Sequence, residues 1–383
     1  MKPLHVALIN LYPRSSGIGR YSFSLFRELK KYNISISMTH FEKSKMPIDL
    51  MRKACDAMKL IVRMNYPKHV KGVYDLYHIT NSELGKWSKV NRPCVFTLHD
   101  IITYGRDIKR DPTLTQIYPK PFSLHPEETY FWNRWVRKSV EAAIVNSEKI
   151  ICTSHYVEKK LKELIKVPEH KLRVIYYGLD HDLFRPRDKL KARNKLNLPR
   201  NRLIILHVGG DGANKNIRTL LNAVKVLQRY MDRFLLVRIG KHRRETRKLI
   251  AKLGIARCVL PIEYVSSLDI ALFYNAADLY VHPSIYEGFG FPPLEAMASG
   301  CPVLSSNSAA LPEILGNAAL YFEPYSVDDL VELIVQVLND TTLRERLINM
   351  GLSRAKAFSW GRAAEETMKV YESVVSTSIR LKD

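Results

Sequence analysis

Two glutamates, Glu287 and Glu295, stand eight positions apart in the stretch YEGFGFPPLEAMASG, residues 286–300. Carboxylates so spaced can act as a general acid and base, as metal ligands, or as acceptors for the hydroxyls of a bound molecule. Between them lies GFGFPP, in which Gly288, Phe289 and Gly290 present main-chain amides with little steric bulk at the glycines. Pro292 and Pro293 suit a helix start, where a missing N–H costs little. A helix N-terminus carries partial positive charge and stabilises an anion placed there. Glu295, expected in the first turn, could merely complement that dipole. Glu287 precedes the glycines and has no helical part to play.

Further candidates follow other apolar runs. SSGIGRYS contains Gly17 and Gly19, a degenerate dinucleotide fingerprint with Ser22 in place of the third glycine and Glu42 about 20 residues on. Such a loop brings amides toward phosphate or substrate, and an ordinary strand–helix turn is the plainer alternative. VFTLHD ends on His99 and Asp100, where side chains of an open α/β sheet enter a cleft. HVGGDGANKN joins Gly209 and Gly210 to Lys215, so amides can approach an anion and the lysine can place a charge on a diphosphate. Its spacing is not that of a Walker loop. GLDHD holds Asp180 and Asp182, but its place ahead of LFRP reads as a hinge turn rather than a metal site.

Each of these motifs needs an element to hold it. LHVALIN, ISISMTH, LYHIT, CVFTLHD and KIICTS are strand-like and alternate with helical pieces such as RYSFSLFRELKKY, PEETYFWNRWVRKSVEAAIVNS and YVEKKLKELIK. VIYYGLDHDLFRP reads as a strand running into a loop, and RDKLKARNKLNLPRNR as a linker with a short helix. A second series then begins with LIILHVGG, IRTLLNAVKVLQRYM and RFLLVRIG. Two such series predict an α/β protein of two doubly wound parallel sheets facing across a cleft, with ligands at the carboxyl ends of strands. A length of 383 residues likewise exceeds what one core usually serves.

Composition excludes several classes. Hydrophobic residues make up 46% and charged residues 26%, as in a folded water-soluble chain. No apolar run approaches the roughly 20 residues of a spanning helix, and MKPLHVALIN reads as a first strand rather than a signal peptide. The five cysteines are scattered, with no C-x-x-C pair, so neither a zinc site nor a disulfide framework is expected. The net charge of +22 is spread over both halves, which argues against a basic tail. Anionic lipid, nucleic acid and phosphate-bearing substrates all suit it, but no zinc-finger, RRM-type or KH-type signature accompanies it.

Taken together, the ordered set SSGIGRYS, VFTLHD, VIYYGLDHDLFRP, ADLYVHPSIYEGFGFPPLEAMASGCPVLSSNSAALPEILGNAALYFEP and FSWGRAAEE resembles the retaining glycosyltransferases of family four, over nearly the whole chain. The resemblance implies a GT-B fold with an acceptor-side domain over residues 1–180 and a donor-side domain over 181–360. The last helix, about 361–383, would pack back on the first domain. It implies that Glu287 lies near the transferred sugar and Glu295 binds the ribose hydroxyls of a nucleotide. Gly288, Phe289 and Gly290 would contact sugar and diphosphate, Lys215 the diphosphate, and His99 the donor sugar. Gly17 and Gly19 would lie beside the phosphates, with the base against Glu263 and Tyr264. The family often places a basic residue just before that lysine, and some members an arginine where Gly210 stands. Here Asn214 precedes Lys215, so Arg20 is a candidate replacement cation.

The expected reaction moves a hexosyl group, of mannose or glucose type, from a UDP- or GDP-linked sugar to a hydroxyl of a glycan, glycolipid or small molecule. No metal ion or other cofactor is expected. A glycosidase would use Glu287 and Glu295 as its carboxylate pair but needs no phosphate-cradling loop. A dehydrogenase would rest on GIGRYS and Glu42 alone, and a nucleic-acid binder on charge alone. Nucleic acid is not an expected partner. The expected location is the cytoplasm, with peripheral contact to anionic membrane through LMRKACDAMKLIVRMNYPKHVKG, which mixes apolar and basic residues at helical spacing.

Overall fold

The computed structural model describes residues 3–10, 12, 14, 16–40, 74–89, 92–101 and 126–380. Glu42, Cys55 and the basic segment over 50–72 lie outside the described residues. The first domain carries Leu4–Asn10 (β1), Ile34–His40 (β2), Leu76–Ile79 (β3), Cys94–Leu98 (β4), Lys149–Cys152 (β5) and Leu172–Val174 (β6). They form a parallel sheet in the order β2-β1-β3-β4-β5-β6. The second domain carries Leu203–Val208 (β7), Phe234–Ile239 (β8), Val259–Ile262 (β9), Leu279–His282 (β10), Val303–Ser306 (β11) and Leu320–Phe322 (β12). Its parallel order is β12-β11-β10-β7-β8-β9.

Helices cover the sheets. They are Gly17–Leu29 (α1), Pro126–Asn146 (α2), His155–Leu164 (α3), Lys189–Lys195 (α4), Ile217–Leu227 (α5), Arg244–Leu253 (α6) and Ser267–Ala276 (α7). Phe291–Ala298 (α8), Leu311–Leu315 (α9), Val327–Asn339 (α10), Thr341–Lys356 (α11) and Trp360–Arg380 (α12) complete the set. With helices on both faces, central strands need apolar side chains throughout, and β4 and β8 are buried at every position.

The chain crosses between domains twice. VIYYGLDHDLFRP leaves the sheet earlier than its apolar run suggests, because β6 ends at Val174 and the following residues turn toward the second domain. Leu179 instead forms an isolated bridge with Ser359, and a Cβ at Gly178 would lie 2.1 Å from the Trp360 nitrogen. The return crossing delivers α12 to the first domain. There it packs on α1, and the Tyr371 hydroxyl meets His78 Nδ1 at 2.7 Å.

Each sheet reverses direction of growth once, between β1 and β3 and between β7 and β10. Loops diverge at such switch points and leave a crevice at the carboxyl ends of the strands. The loops after β7 and β10 carry Gly209–Lys215 and Ser284–Gly290, so topology alone places both motifs at one crevice.

Candidate active site

The crevice of the second domain is built around Glu287. The loop after β7 closes with a 3-10 turn over Ala213–Lys215, capped by Asn216 in the left-handed region at φ 48°. This sets Lys215 Nζ 2.6 Å from Glu287 Oε1. His282, the last residue of β10, brings Nε2 to 3.2 Å from the same oxygen. The Tyr280 hydroxyl lies 3.0 Å from His282 Nδ1. Burial lowers the His282 pKa below the ordinary imidazole value, with the Glu287 carboxylate opposing. The ring is therefore neutral at pH 7, accepting from Tyr280 at Nδ1 and donating to Glu287 at Nε2. Burial would push the Glu287 carboxyl up, but Lys215 and His282 outweigh it and hold it well below the usual carboxylate range.

The following loop is pressed against the first domain. A Cβ on Gly288 would lie 2.1 Å from the His99 carbonyl oxygen, so only glycine permits this approach. The Gly288 carbonyl accepts from the Ser154 hydroxyl at 2.8 Å. Gly290 has φ +98° and caps α8, which starts at Phe291 and carries Glu295 in its second turn. Glu295 therefore does not serve the helix dipole as a first-turn acid would. It is 2% exposed, its Oε2 accepts from the Tyr274 hydroxyl at 3.0 Å, and its Oε1 pairs with the Arg20 guanidinium of the first domain.

On the opposing wall, Ser16 caps α1 by accepting from the Gly19 amide at 2.9 Å. That bond orients the Gly17–Gly19 turn, and a Cβ at Gly17 would meet nothing within 4 Å. Arg20 follows directly, its Cζ 4.7 Å from the Phe291 ring centroid. His99 leaves β4 into the interface with both ring nitrogens engaged. Nε2 donates to the Thr80 carbonyl at 2.7 Å, and Nδ1 accepts from the Tyr177 hydroxyl. Burial brings its pKa down to about 4, with the Thr80 carbonyl opposing, so the imidazole is neutral near pH 7. Tyr177 links the walls, its ring 4.6 Å from Phe289, 4.9 Å from Phe291 and 5.0 Å from Tyr21.

The structure thus brings Lys215, Glu287, Gly288, Phe289 and His99 to one contact zone, and Glu295 to its neighbour. Gly209 and Gly210 lie in the loop leading to Lys215. Glu263 and Tyr264 directly follow β9, at the same carboxyl edge of the parallel sheet as the loops after β7 and β10. Glu263 is 2.5 Å from Arg247 and Tyr264 is 83% exposed, and no described hydrogen bond or ring contact joins them to the Glu287–Glu295 loop. Asp180 caps the interdomain turn through the Leu183 amide at 3.1 Å. Among the described residues no group of three or more His, Cys, Asp or Glu side chains is placed to hold a metal.

Several site residues escape a reading of motifs. Tyr274, Tyr280 and His282 look like ordinary helix and strand positions; only the polar tips at buried positions hint at partners. Arg238 in β8 is fully buried, pairs with Asp211, and donates to His242 Nδ1 at 2.6 Å. Asp211 also accepts from the Arg243 amide, so this arginine fixes the loop that carries Gly209 and Gly210. A lone arginine in the apolar run RFLLVRIG is the signal that could have found it.

The family model described as glycosyl transferases group 1 matches residues 188–354, and that of glycosyltransferase family 4 matches residues 68–183. The MMP alpha-(1->4)-mannosyltransferase of Mycolicibacterium hassiacum is 31% identical over 315 residues, which cover 80% of this chain and 72% of that protein. The O-antigen chain mannosyltransferase B of Escherichia coli is 30% identical over 254 residues, 65% of this chain and 66% of that one. Sucrose-phosphate synthase from Thermosynechococcus elongatus shares the fold with a TM-score of 0.75 at 21% identity, covering 98% of this chain and 100% of its own. HepE of Anabaena, solved with UDP-glucose, superposes with a TM-score of 0.70 at 17% identity, covering 97% and 100%. The paired parallel-sheet domains are those of the GT-B architecture, and the chain belongs to the glycosyltransferases of family 4, group 1.

Proposed function

We propose that the chain is a retaining glycosyltransferase that moves a hexosyl group, first of all mannosyl, from a nucleoside diphosphate sugar to a hydroxyl of a glycan, glycolipid or small-molecule acceptor. The observation that carries this reading is the Lys215–Glu287–His282 cluster at the switch point, followed by the helix whose Glu295 meets Arg20 of the glycine-led α1 across the interface. Its support from relatives is that both curated proteins described above are mannosyltransferases by name.

The residues suit the charge changes of such a transfer. Breaking the sugar–phosphate bond builds positive charge at the anomeric carbon and negative charge on the leaving diphosphate. The amides of Gly288, Phe289 and Gly290, the N-terminus of α8 and Lys215 would stabilise the leaving group. Glu287 stays ionised and would sit beside the developing positive charge. His99 is neutral and doubly hydrogen-bonded, so it would shape the sugar pocket rather than exchange a proton. The departing phosphate oxygen would take the acceptor's proton on the face it leaves, giving retention with no protein nucleophile.

Thermal-shift screening against GDP-, UDP- and ADP-linked sugars tests this. A productive donor at 100 times its Kd should stabilise the protein by about 2.7 kcal/mol. Release of nucleoside diphosphate with an acceptor hydroxyl present should follow. Sugar release from a glycan without nucleotide would overturn the reading, as would the absence of any shift across the panel. Peripheral contact with anionic membrane belongs to the same proposal. No described helix is long and apolar enough to cross a membrane. Co-sedimentation with anionic liposomes at low salt tests the contact.

A further inference from the structure

We propose that Arg20 exchanges partners during donor entry, releasing the Glu295 carboxylate to the incoming nucleoside and taking up the donor's diphosphate. The inference rests on the reading of the cleft as a nucleoside diphosphate sugar site.

Arg20 occupies an unusual position for a structural arginine. It stands in the first turn of α1, directly after the Gly17–Gly19 turn, and reaches across the interface to the second domain. Its guanidinium has five N–H groups. One nitrogen pairs with Glu295, the plane lies over Phe291, and the buried Nε has no hydrogen-bond partner. The fork therefore has unused capacity for a second oxyanion. The side chain is 34% exposed and borders an interdomain cavity of about 310 Å³, also lined by Arg14, Asp180, Phe291, Glu295 and Trp360.

Glu295 is the mirror case: its oxygens keep acceptor sites, but the carboxylate is enclosed. One oxygen is taken by Arg20 and the other by Tyr274, and the residue is 2% exposed. Arg20 and Glu295 line the same cavity, with the guanidinium the more exposed of the two, so a diol reaching the buried carboxylate from that side has to move Arg20. The released guanidinium remains tethered one residue from Gly19, beside the loop expected to face the phosphates. A diphosphate needs cations there. The loop HVGGDGANKN offers Lys215 alone, already 2.6 Å from Glu287. Arginine suits the task because its planar fork matches a phosphate with two parallel bonds.

The exchange separates the two halves of the ligand, and so does its test. Titration calorimetry would compare the nucleoside, nucleoside monophosphate and nucleoside diphosphate of the base preferred by the wild-type protein. Arg20→Gln should bind the nucleoside as tightly as wild type or a few-fold tighter, because the competing cation is gone. Its affinity for the diphosphate should fall about ten- to hundredfold, the size of a lost charge-assisted hydrogen bond. Arg20→Lys, which keeps the charge without the fork, should fall between. Glu295→Gln should do the reverse, weakening the nucleoside while preserving the increment from each phosphate. Circular dichroism and thermal unfolding of Arg20→Gln report whether it folds; the Glu295→Gln arm stands independently of that result. Equal losses for nucleoside and diphosphate in Arg20→Gln would overturn the exchange alone, and so would an unchanged diphosphate affinity. A wild-type protein that binds none of the three would overturn the reading of the cleft and the exchange with it.

Discussion

Replacing Lys215 by methionine should expose what Glu287 costs when it loses its cation. The carboxylate is 14% exposed and the ammonium 26%, so the pair is substantially shielded from water. Removing one partner of a buried pair costs about 3–5 kcal/mol, and the partial exposure of Lys215 argues for the lower end, about 3 kcal/mol at pH 7. The pH dependence gives the sharper test. In the folded wild type Glu287 titrates well below its ordinary 4.5, so the pair contributes stability above that value and loses it as pH falls toward the folded pKa. Below about pH 4.5 the unfolded chain gains a proton that the native one refuses, at about 1.4 kcal/mol per pH unit. With methionine at 215, burial dominates, the folded carboxyl titrates higher, and this acid-side loss disappears. The gap between wild type and variant, measured by denaturant unfolding, should therefore narrow steadily as pH falls and be smaller at pH 3.5 than at pH 7 by at least about 1.4 kcal/mol. The double variant Lys215→Met/Glu287→Gln should recover most of the gap at pH 7. A penalty that stays the same from pH 7 to 3.5 would refute the assignment of Glu287 as a buried carboxylate held ionised by Lys215.

Gly288→Ala places a methyl 2.1 Å from the His99 carbonyl and should force the two walls apart; we expect activity to fall by roughly a hundredfold, while Gly17→Ala, which meets nothing, stays folded and separates crowding from loop flexibility. Because His99 titrates near 4 when folded, kcat/KM should show no imidazole inflection between pH 5.5 and 8, and a step near 6.5 that His99→Gln abolishes would contradict its neutral, doubly bonded state. The same depression makes the folded state lose stability as pH falls from about 6.5 toward 4, a slope that His99→Gln should reduce in thermal unfolding. Asp211→Ala leaves the buried Arg238 guanidinium without its counter-charge and should destabilise by about 3–5 kcal/mol, with Asp211→Ala/Arg238→Met restoring much of it; equal stability of the single variant and wild type would show that the pair does not hold the loop.

What sequence reveals about this site follows from how local each feature is. The loop and helix start around Glu287, the lysine after β7 and the histidine at the end of β4 are legible because strand, turn and helix signals lie within a few residues of them. The assignment of Glu295 to a first turn fails by a single residue. Gly290 takes the left-handed conformation and caps the helix, so the helix begins at Phe291 and Glu295 falls one step later. Its partners were beyond reach: Arg20 lies 275 positions away, and only the approach of the two domains joins them. Tyr177 is hidden for a related reason. Its run VIYYG looks like a strand, but the chain leaves the sheet at Val174 and spends the tyrosine on the interface instead.

The two motif glutamates are held by different means, and the difference has a physical basis. A carboxylate shielded from water costs several kcal/mol unless a cation or several donors meet it. Glu287 is met by Lys215 and His282 of its own domain, so its ionisation is independent of where the first domain sits. Glu295 has one neutral donor at home, Tyr274, and draws its cation from α1 of the other domain. Separating the domains would therefore leave Glu287 satisfied and Glu295 short of charge. On the proposed function this asymmetry links the charge balance of the ribose carboxylate, and not that of Glu287, to domain closure. A nucleoside that takes over Glu295 replaces a charged interdomain contact with neutral hydroxyl donors. Closure then depends on whether Arg20 finds a new anion, which a nucleoside diphosphate supplies and a nucleoside does not.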